Sequence, residues 1–524
     1  MMEEMKARRN NWETTWREVS LYVLPNKDDV YTWKNKSRGE EKHERLYDSS
    51  AIHFNELLAA ALHSIITNPT SQWFGLKTGK EALDRKPKVK SWLQKLVREI
   101  HNILNNTNFQ SEVHELYLDL GCFGTGVLRI DEDEENIFHF LSRPIYETYI
   151  RESYKKIVNI VATEDIMSNR QAFEKYGMES FGDKAKDMGK KLDDEIEIIH
   201  IVMPLSEVEI RGLPMMGKEW VSIHVWKKGE TVLRMKGFNE FPYVVPRWLK
   251  TTGEVYGRSP AFKALPDIRM LNAMKKTVIR GAQKMVDPPL LVPDDGVMGR
   301  VNTTPGGLNS YRSGTKDRIE PLLTGGRPDI GLDLIREVKQ SVKEDFFVDQ
   351  LQIREGDRMT TVEVSIRDED RIRILSPMSG RLHFEFLQPL VARMLGIMSR
   401  RNLLPPDMPA ELRGIAPQVR FASQVEKALR AAEGNNINRF MGTVGPILQV
   451  FPESRDILNG DGAIRFMGDI LDVPQEVFKS EEEVEETRAA REQQMQKMQQ
   501  QQDNLATAEV AQKTAGVLPL KSGE

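Results

Sequence analysis

The amino-acid sequence predicts an α+β protein that is mainly helical. Three observations carry this. Apolar residues recur at helical spacing through most of residues 1 to 120, short β-branched segments crowd 121 to 250, and a long helix with clear start and stop signals begins near Ser259. At 524 residues the chain is too long for one compact core, so two to four structural units are expected.

In chain order, Trp12, Trp16, Val19 and Val23 form a helical stripe that stops at Pro25. After a polar loop, Asp48 can cap a helix whose Ala51, Phe54, Leu58, Ala61, Leu62 and Ile65 make one apolar face, and Asn68-Pro69 ends it. Another helix is expected over about 87 to 107, with Val89, Trp92, Leu96, Ile100, Ile103 and Leu104 on one side, and a short one over about 111 to 120. The texture then changes. GCFGTGVLRI, NIFHFL, EIEIIHIVM and WVSIHVWKKGETVLRM read as strands, the last as a hairpin turning at Lys-Gly-Glu.

Helix returns over 259 to 287, with Ser259 as N-cap, Pro260 as first helical residue and Pro288-Pro289 as the stop. A Pro/Gly-rich segment of about 40 residues follows, then a helix over about 331 to 353. The stretch REGDRMTTVEVSIRDEDRIRIL, 354 to 375, is a charged Gly-containing loop running into a helix start, because Thr360 and Glu363 have the spacing of a capping box. Beyond a kink or break at Pro377, Leu382, Phe386, Leu390 and Met394, flanked by Leu387, Val391 and Leu395, make a wide core face. From 481 the chain is Glu/Gln-rich with a ragged heptad, Met495, Met498 and Leu505, and reads as a long polar helix or a partly disordered tail.

Composition excludes several classes of function. Hydrophobic content of 40% and charged content of 29% are those of a globular chain, and no apolar run approaches ~18 residues, so no membrane span is expected. The amino terminus carries no secretory signal, so the chain is expected to stay in the cytoplasm where it is made. One cysteine, Cys122, excludes an internal disulfide and a multi-Cys zinc site. A net charge of −4 provides no bulk attraction for nucleic acid, so any contact with DNA is local or loose.

Catalytic motifs are missing. The glycines of GCFGTG, Gly121, Gly124 and Gly126, fit neither a P-loop nor a dinucleotide fingerprint and read as turn and close-approach residues. HELYL at His114 lacks the second His of a metalloprotease. The acidic runs DEDEE (131 to 135) and RDEDR (367 to 371) read as a solvated turn and a solvated helix face rather than cation sites. One charge pattern stands out: on the helix 259 to 287, Leu271, Met274, Val278, Ala282 and Met285 share one side, while Arg269, Lys276, Arg280 and Lys284 share the opposite one. From spacing alone a solvated basic face is favoured over a stripe facing phosphates.

Several landmarks together resemble one family. They are YDSSAIHFNELLAAALHSIITNPTSQWFGL, GTGVL at 124 to 128, PRWLKTTGEVYGRSPAFKALPDIRMLN at 246 to 272, and MTTVEVSIRDEDRIRILSPMSGRLHFEFLQPLVARMLGIMSRRNLLP from 359. Their order and spacing resemble the head-to-tail connector, or portal, proteins of short-tailed bacteriophages over about residues 10 to 410. The resemblance implies a ring, usually of twelve copies, at one capsid vertex, through which double-stranded DNA is packaged and ejected.

It further implies a portal-like subunit with a mixed wing (1–258, helical first half and strand-rich second half), a two-helix stem (259–287 and 331–353), a clip (288–330), a tunnel loop (354–359), long wing or tunnel helices (360–404), and a crown with a polar C-terminal helix or tail (405–524). The channel candidates are then Arg269, Lys276, Arg280 and Lys284 on the stem and Arg354 and Arg358 in the loop. Implied partners are the major capsid protein, scaffolding protein, terminase, a tail adaptor or tail-tube protein and internal core proteins, with no membrane, no metal and no cofactor; the implied place is the virion, and the host cytoplasm during assembly. Twelve chains at −4 carry about −48 together, and a tube through which DNA slides needs no deep positive well. Portals of this family are not enzymes. Two other readings remain: a non-catalytic DNA-binding or scaffold protein oligomerising through its C-terminal helix, and a nuclease or motor subunit using DEDEE.

Overall fold

The computed structural model describes residues 1–27, 46–84, 86–208, 217–291, 301–302, 320–321, 328–351, 378, 380–414, 417–421, 434, 437, 439–446, 451, 453, 457–470, 473, 477–479 and 481–515. The fold is mixed α+β, 58% helical, with small open sheets. The expected loop 354–359, the capping box Thr360/Glu363, the RDEDR run, the break at Pro377 and most of the Pro/Gly-rich segment lie outside the described residues.

The chain divides into two units: residues 1–75, 97–404 and 419–425 form the larger, and 76–96, 405–418 and 426–524 the smaller. The elements begin with α1 (Met2–Val23) and α2 (Ser50–Ile66), followed by a strand within the region expected to be helical, β1 (Phe74–Lys77). Next come α3 (Glu81–Asp84), α4 (Pro87–Asn105) and α5 (Phe109–Phe123). Trp16, Val19 and Val23 are buried as the stripe predicts, and the indole of Trp16 meets Tyr256 edge-on at 5.0 Å. The N-cap of α2 is Ser49 rather than Asp48; Asp48 instead accepts the Ser50 amide at 2.8 Å.

The run GCFGTGVLRI is not a single strand. Its first three residues finish α5, Gly124 closes the helix at φ 73°, and β2 (Leu128–Asp133) begins four residues later. A left-handed C-cap glycine stops a helix by the same freedom that sequence reading assigned to a turn. β2 pairs with β3 (Ile137–Ser142) and, on its other edge, with the short β9 (Tyr243–Val244).

Between them lies a five-stranded antiparallel sheet of β4 (Thr148–Glu152), β5 (Val158–Ser168), β6 (Glu195–Pro204), β7 (Trp220–Trp226) and β8 (Thr231–Phe238), in that spatial order. The expected hairpin joins β7 to β8, but Glu230, not Gly229, takes the positive φ. Gly229 is needed because a Cβ there would meet the Trp226 ring at 2.0 Å. Two helices interrupt the strand-rich region, α6 (Asn169–Tyr176) and α7 (Ala185–Gly189), and Ser168 with Gln171 forms a capping box on α6. One apolar cluster of the sheet packs Ile198, Trp226 and Leu233 against Ala172, Tyr176, Phe181 and Met188; another packs Ile160, Ala162, Met203 and Val221 with Met5 of α1.

α8 (Pro260–Val286) starts as predicted: Ser259 Oγ accepts the Phe262 amide at 3.1 Å, and Pro260 occupies the first turn. A two-residue ladder, β10 (Leu290–Leu291) with β11 (Glu320–Pro321), follows it. The helix expected over 331 to 353 is broken within the described residues. α9 (Pro328–Asp345) ends where Phe346 is buried and Phe347 adopts φ 60°, and helix resumes as α10 (Val348–Leu351). Later, a π-helical turn (His383–Leu387) leads into α11 (Gln388–Arg400), whose Leu390, Val391 and Met394 are buried with Leu382 and Phe386 as expected.

In the smaller unit Trp92 Nε1 donates to Pro405 O at 3.2 Å, which ties α4 to the proline run. The strand β12 (Gln418–Phe421) precedes α12 (Gly460–Ile470) and α13 (Glu481–Ala515). Of the polar C-terminal stretch, Glu481–Ala515 is a 35-residue helix.

Candidate functional site

α8 is set rigidly at its root. Ser259 Oγ donates to Cys122 O at 2.7 Å while capping the helix, and the Gly257 amide donates to Thr125 Oγ1 at 2.8 Å. The backbones pass so closely that a Cβ on Gly257 would lie 2.1 Å from Gly124 O, and one on Gly124 would lie 2.6 Å from Ser259 N. Gly126 is crowded by Leu116 in the same way. These contacts give the glycines of GCFGTG a packing role. Farther along, Asn272 Oδ1 accepts the amides of Tyr47 and Asp48 at 2.7 and 3.2 Å, and Lys275 pairs with Asp48.

α9 returns antiparallel along α8. Lys263 pairs with Asp345 at 2.8 Å, Leu271 packs with Ile335 and Val338, and Gly331 lies against Val278. Burying Leu271, Ile335 and Val338 stabilises the pair by roughly 1.5 to 3 kcal/mol each. Because α9 occupies the Leu271–Met274–Val278 face, the side of α8 bearing Arg269, Lys276, Arg280 and Lys284 is turned away from it.

The four basic candidates do not behave alike. Arg269 pairs with Glu18 of α1, and Lys276 Nζ lies 5.1 Å from the centre of the Tyr47 ring. Arg280 and Lys284 are exposed and have no ion pair or hydrogen bond among the described residues. The surrounding half of α8 is bare: Ile279, Met285 and Val286 are exposed, Val286 at 87%, as are Leu332 and Leu334 on α9. Arg354 and Arg358 lie outside the described residues.

The first three residues of the acidic run DEDEE are spent on structure, while Glu134 and Glu135 at its tip are exposed. Asp131 pairs with Arg129 at 2.9 Å, Glu132 with Arg400 at 2.6 Å, and Asp133 accepts the Asn136 amide at 3.1 Å across the β2–β3 turn. Among the described residues no cluster of His, Cys, Asp and Glu is placed to hold a metal ion, and no helix is long and apolar enough to cross a membrane.

Three buried polar clusters were not anticipated from sequence. Arg247, within PRWLKTTGEVYGRSP, is fully buried; its Nε and Nη2 donate to Glu385 at 3.0 and 2.7 Å, and its Nη1 pairs with Glu152. Burial works against the charge of Arg247, but the two carboxylates outweigh it and raise its pKa. Arg393 and Arg400 of α11 hold Glu240 at 2.8 and 2.6 Å.

In the third cluster the β6–β7 register sets His200 opposite His224, with rings stacked 4.0 Å apart at 5°. Tyr243 Oη lies 3.1 Å from His200 Nδ1, Tyr176 Oη 3.0 Å from His224 Nδ1, and Ser222 Oγ 2.8 Å from His200 Nε2. Burial, then the nearby Lys175 and Arg129, lower His224 to about 3; burial and the His224 charge push His200 well below its ordinary value. A polar side chain alternating into an otherwise apolar strand, as in EIEIIHIVM and WVSIHVW, was the available signal for the histidines, and a lone Arg after YVVP was the signal for Arg247.

Comparison with known proteins places this geometry in context. Residues 1–478 match the family described as bacteriophage head to tail connecting protein. The chain is 27% identical over 490 residues to the probable portal protein of Bordetella phage BPP-1, covering 90% of this chain and 87% of that one. It is 26% identical over 500 residues to the portal protein of Salmonella phage epsilon15 (93% and 89% covered) and 22% over 444 residues to that of Escherichia phage T7 (78% and 75%). Among solved structures, a chain of the virion of a native gene transfer agent particle aligns over 83% of this chain and 98% of that chain, at 11% identity and a TM-score of 0.36.

Proposed function

Because the chain belongs to the bacteriophage head to tail connecting protein family, we propose that it forms a twelve-membered ring whose axial channel passes double-stranded DNA into the capsid and out again. Its role is that of a portal: a virion component at the capsid vertex, in a family that is structural and non-catalytic and whose rings dock capsid and tail proteins. The scaffold alternative is not favoured, and a nuclease built on DEDEE would keep only Glu134 and Glu135, since Asp131, Glu132 and Asp133 are held by Arg129, Arg400 and the turn.

In the proposed arrangement residues 1–258 are the wing, α8 and α9 the stem, 288–330 the clip, 354–359 the tunnel loop, 360–404 the tunnel helices and 405–524 the crown. The observation that carries the ring is the family match over residues 1–478. The α8–α9 pair supports it, because its far half leaves Ile279, Met285, Val286, Leu332 and Leu334 uncovered in a single chain, and adjacent copies would bury them. Arg280 and Lys284 would then face the lumen and touch phosphates, with Arg354 and Arg358 at the constriction. Terminase, a tail adaptor or tail-tube protein, the major capsid protein, scaffolding protein and internal core proteins are the partners proposed, met first in the host cytoplasm.

Negative-stain microscopy of the purified chain tests this reading. Rings with an axial hole are expected; rods or small dimers would support the scaffold instead.

A further inference from the structure

A groove of about 740 Å³ in the larger unit lies between two turns, residues 155–157 and 250–253, and the helical segment carrying Arg381, Phe384 and Gln388. Its floor is firm, since Glu385 is held by buried Arg247 and Lys250 by Glu152. Its rim is not satisfied. The π-helical turn carries Phe384 at 70% exposure, and Ile157, which lines the same groove, is 61% exposed. Lys155 and Lys156 have no acidic partner among the described residues, whereas Arg381 is already paired with Glu385 at 3.3 Å. Large exposed apolar groups ringed by uncompensated cations mark a surface that is covered by something acidic.

The same chain carries a matching surface. At the β2–β3 turn Glu134 and Glu135 are exposed and have no cation among the described residues. Ile137, directly after that tip, sits at φ 69°, a conformation that a β-branched residue adopts only under strain. Both surfaces are tied to α11. Gln388, Pro389 and Ala392 line the groove, while Arg393 and Arg400 hold Glu132 at the base of the acidic turn. From Gln388 to Arg400 the helix is about 18 Å long at 1.5 Å per residue. A receptor and a plug at different places on one chain make a heterologous, head-to-tail contact, the kind that forms a ring when the rotation between copies closes.

We propose that the groove between the 155–157 turn and the Phe384 helix of one copy receives the acidic β2–β3 turn, residues 133–135, of the next copy. This rests on the ring reading above. Lys155 and Lys156 meet Glu134 and Glu135, and Phe384 and Ile157 pack on the Ile137 side of the turn.

The test uses the full chain and mass photometry at low and high salt. Lys155→Glu with Lys156→Glu, and separately Glu134→Lys with Glu135→Lys, are expected to fold normally by circular dichroism and to lose at least about tenfold in ring fraction at equal concentration, with partial recovery in high salt. All four substitutions in one chain should restore rings, and those rings should not mix with the wild type. Rings undiminished in either double variant, or a fourfold variant no better than the doubles, would overturn the inference while leaving the ring reading intact. A wild-type chain that forms no ring removes both.

Discussion

The stacked histidines make a quantitative prediction about acid. His224 is neutral in the fold, held at about 3 by burial and by Lys175 and Arg129, whereas an unfolded imidazole titrates near 6.5. Above pH 6.5 both states are neutral and the pair costs nothing. As pH falls, the unfolded state takes up protons first, so stability is lost from about pH 6.5 downward until the folded value near 3 is reached. At pH 5 the difference is about 1.5 units for His224, which at 1.36 kcal/mol per unit destabilises by about 2 kcal/mol relative to pH 7.5. His200, lowered by burial and by its partner, adds a loss of the same sign.

The readout should be local, because the pair lies on two strands of one sheet. Hydrogen-exchange mass spectrometry at pH 7.5 and 5, corrected for intrinsic exchange, is expected to show the opening free energy of Glu195–Pro204 and Trp220–Trp226 falling by about 2 kcal/mol or more, with a smaller fall in His224→Gln. An unchanged opening free energy in these strands at pH 5, or the same fall in His224→Gln as in the wild type, would refute the reasoning.

Three further outcomes are expected. Changing Arg280 and Lys284 together to Glu should leave rings intact but alter genome packaging in a salt-dependent way, measured as DNA per particle; normal packaging at every salt concentration would return the stripe to a merely solvated face. Replacing Glu355 to Arg358 with Gly-Ser should leave melting temperature and ring formation near normal while packaged or retained genome falls sharply, and full-length genomes at normal yield would move the constriction elsewhere. Gly257→Ala should destabilise by about 1 to 3 kcal/mol, since its Cβ meets a backbone oxygen that cannot swing away, and a melting temperature equal to the wild type's would show that the root of α8 has slack.

Much of the fold was legible where one physical signal acted alone. The start of α8 could be read because Ser259 and Pro260 satisfy helix-end geometry locally, and the α1 stripe because Trp16, Val19 and Val23 have no competing role. Reading failed where a residue answered to a distant neighbour. Gly124 looks like a turn within a strand, yet it closes α5, and the passage of residues 257–259 across it leaves no room for a side chain. The break at Phe346–Phe347 carries no Gly or Pro; tertiary burial of Phe346 overrides helix propensity there. On the candidate site, spacing correctly separated the basic and apolar sides of α8. It had no means of knowing that Glu18 and Tyr47, far back in the chain, would occupy Arg269 and Lys276.

If α8 lines a channel as proposed, that division within the stripe bears on how its wall works. The root half of α8 is held from several sides, by Cys122 O, Asn272, Asp48, Glu18 and Asp345, so its direction is fixed before any neighbour arrives. Among the described residues the far half has exposed apolar side chains and no counter-charge. If neighbours supply the apolar cover, the α8 cations without an acidic partner among the described residues are Lys276, which lies over the Tyr47 ring, and the exposed Arg280 and Lys284. Screened over a Debye length of about 8 to 10 Å, such isolated cations hold a passing phosphate weakly and release it readily. On the proposed reading, a wall with all four cations free would grip DNA more strongly and raise the salt dependence of transport, so the Glu18 pair that neutralises Arg269 would favour sliding over binding.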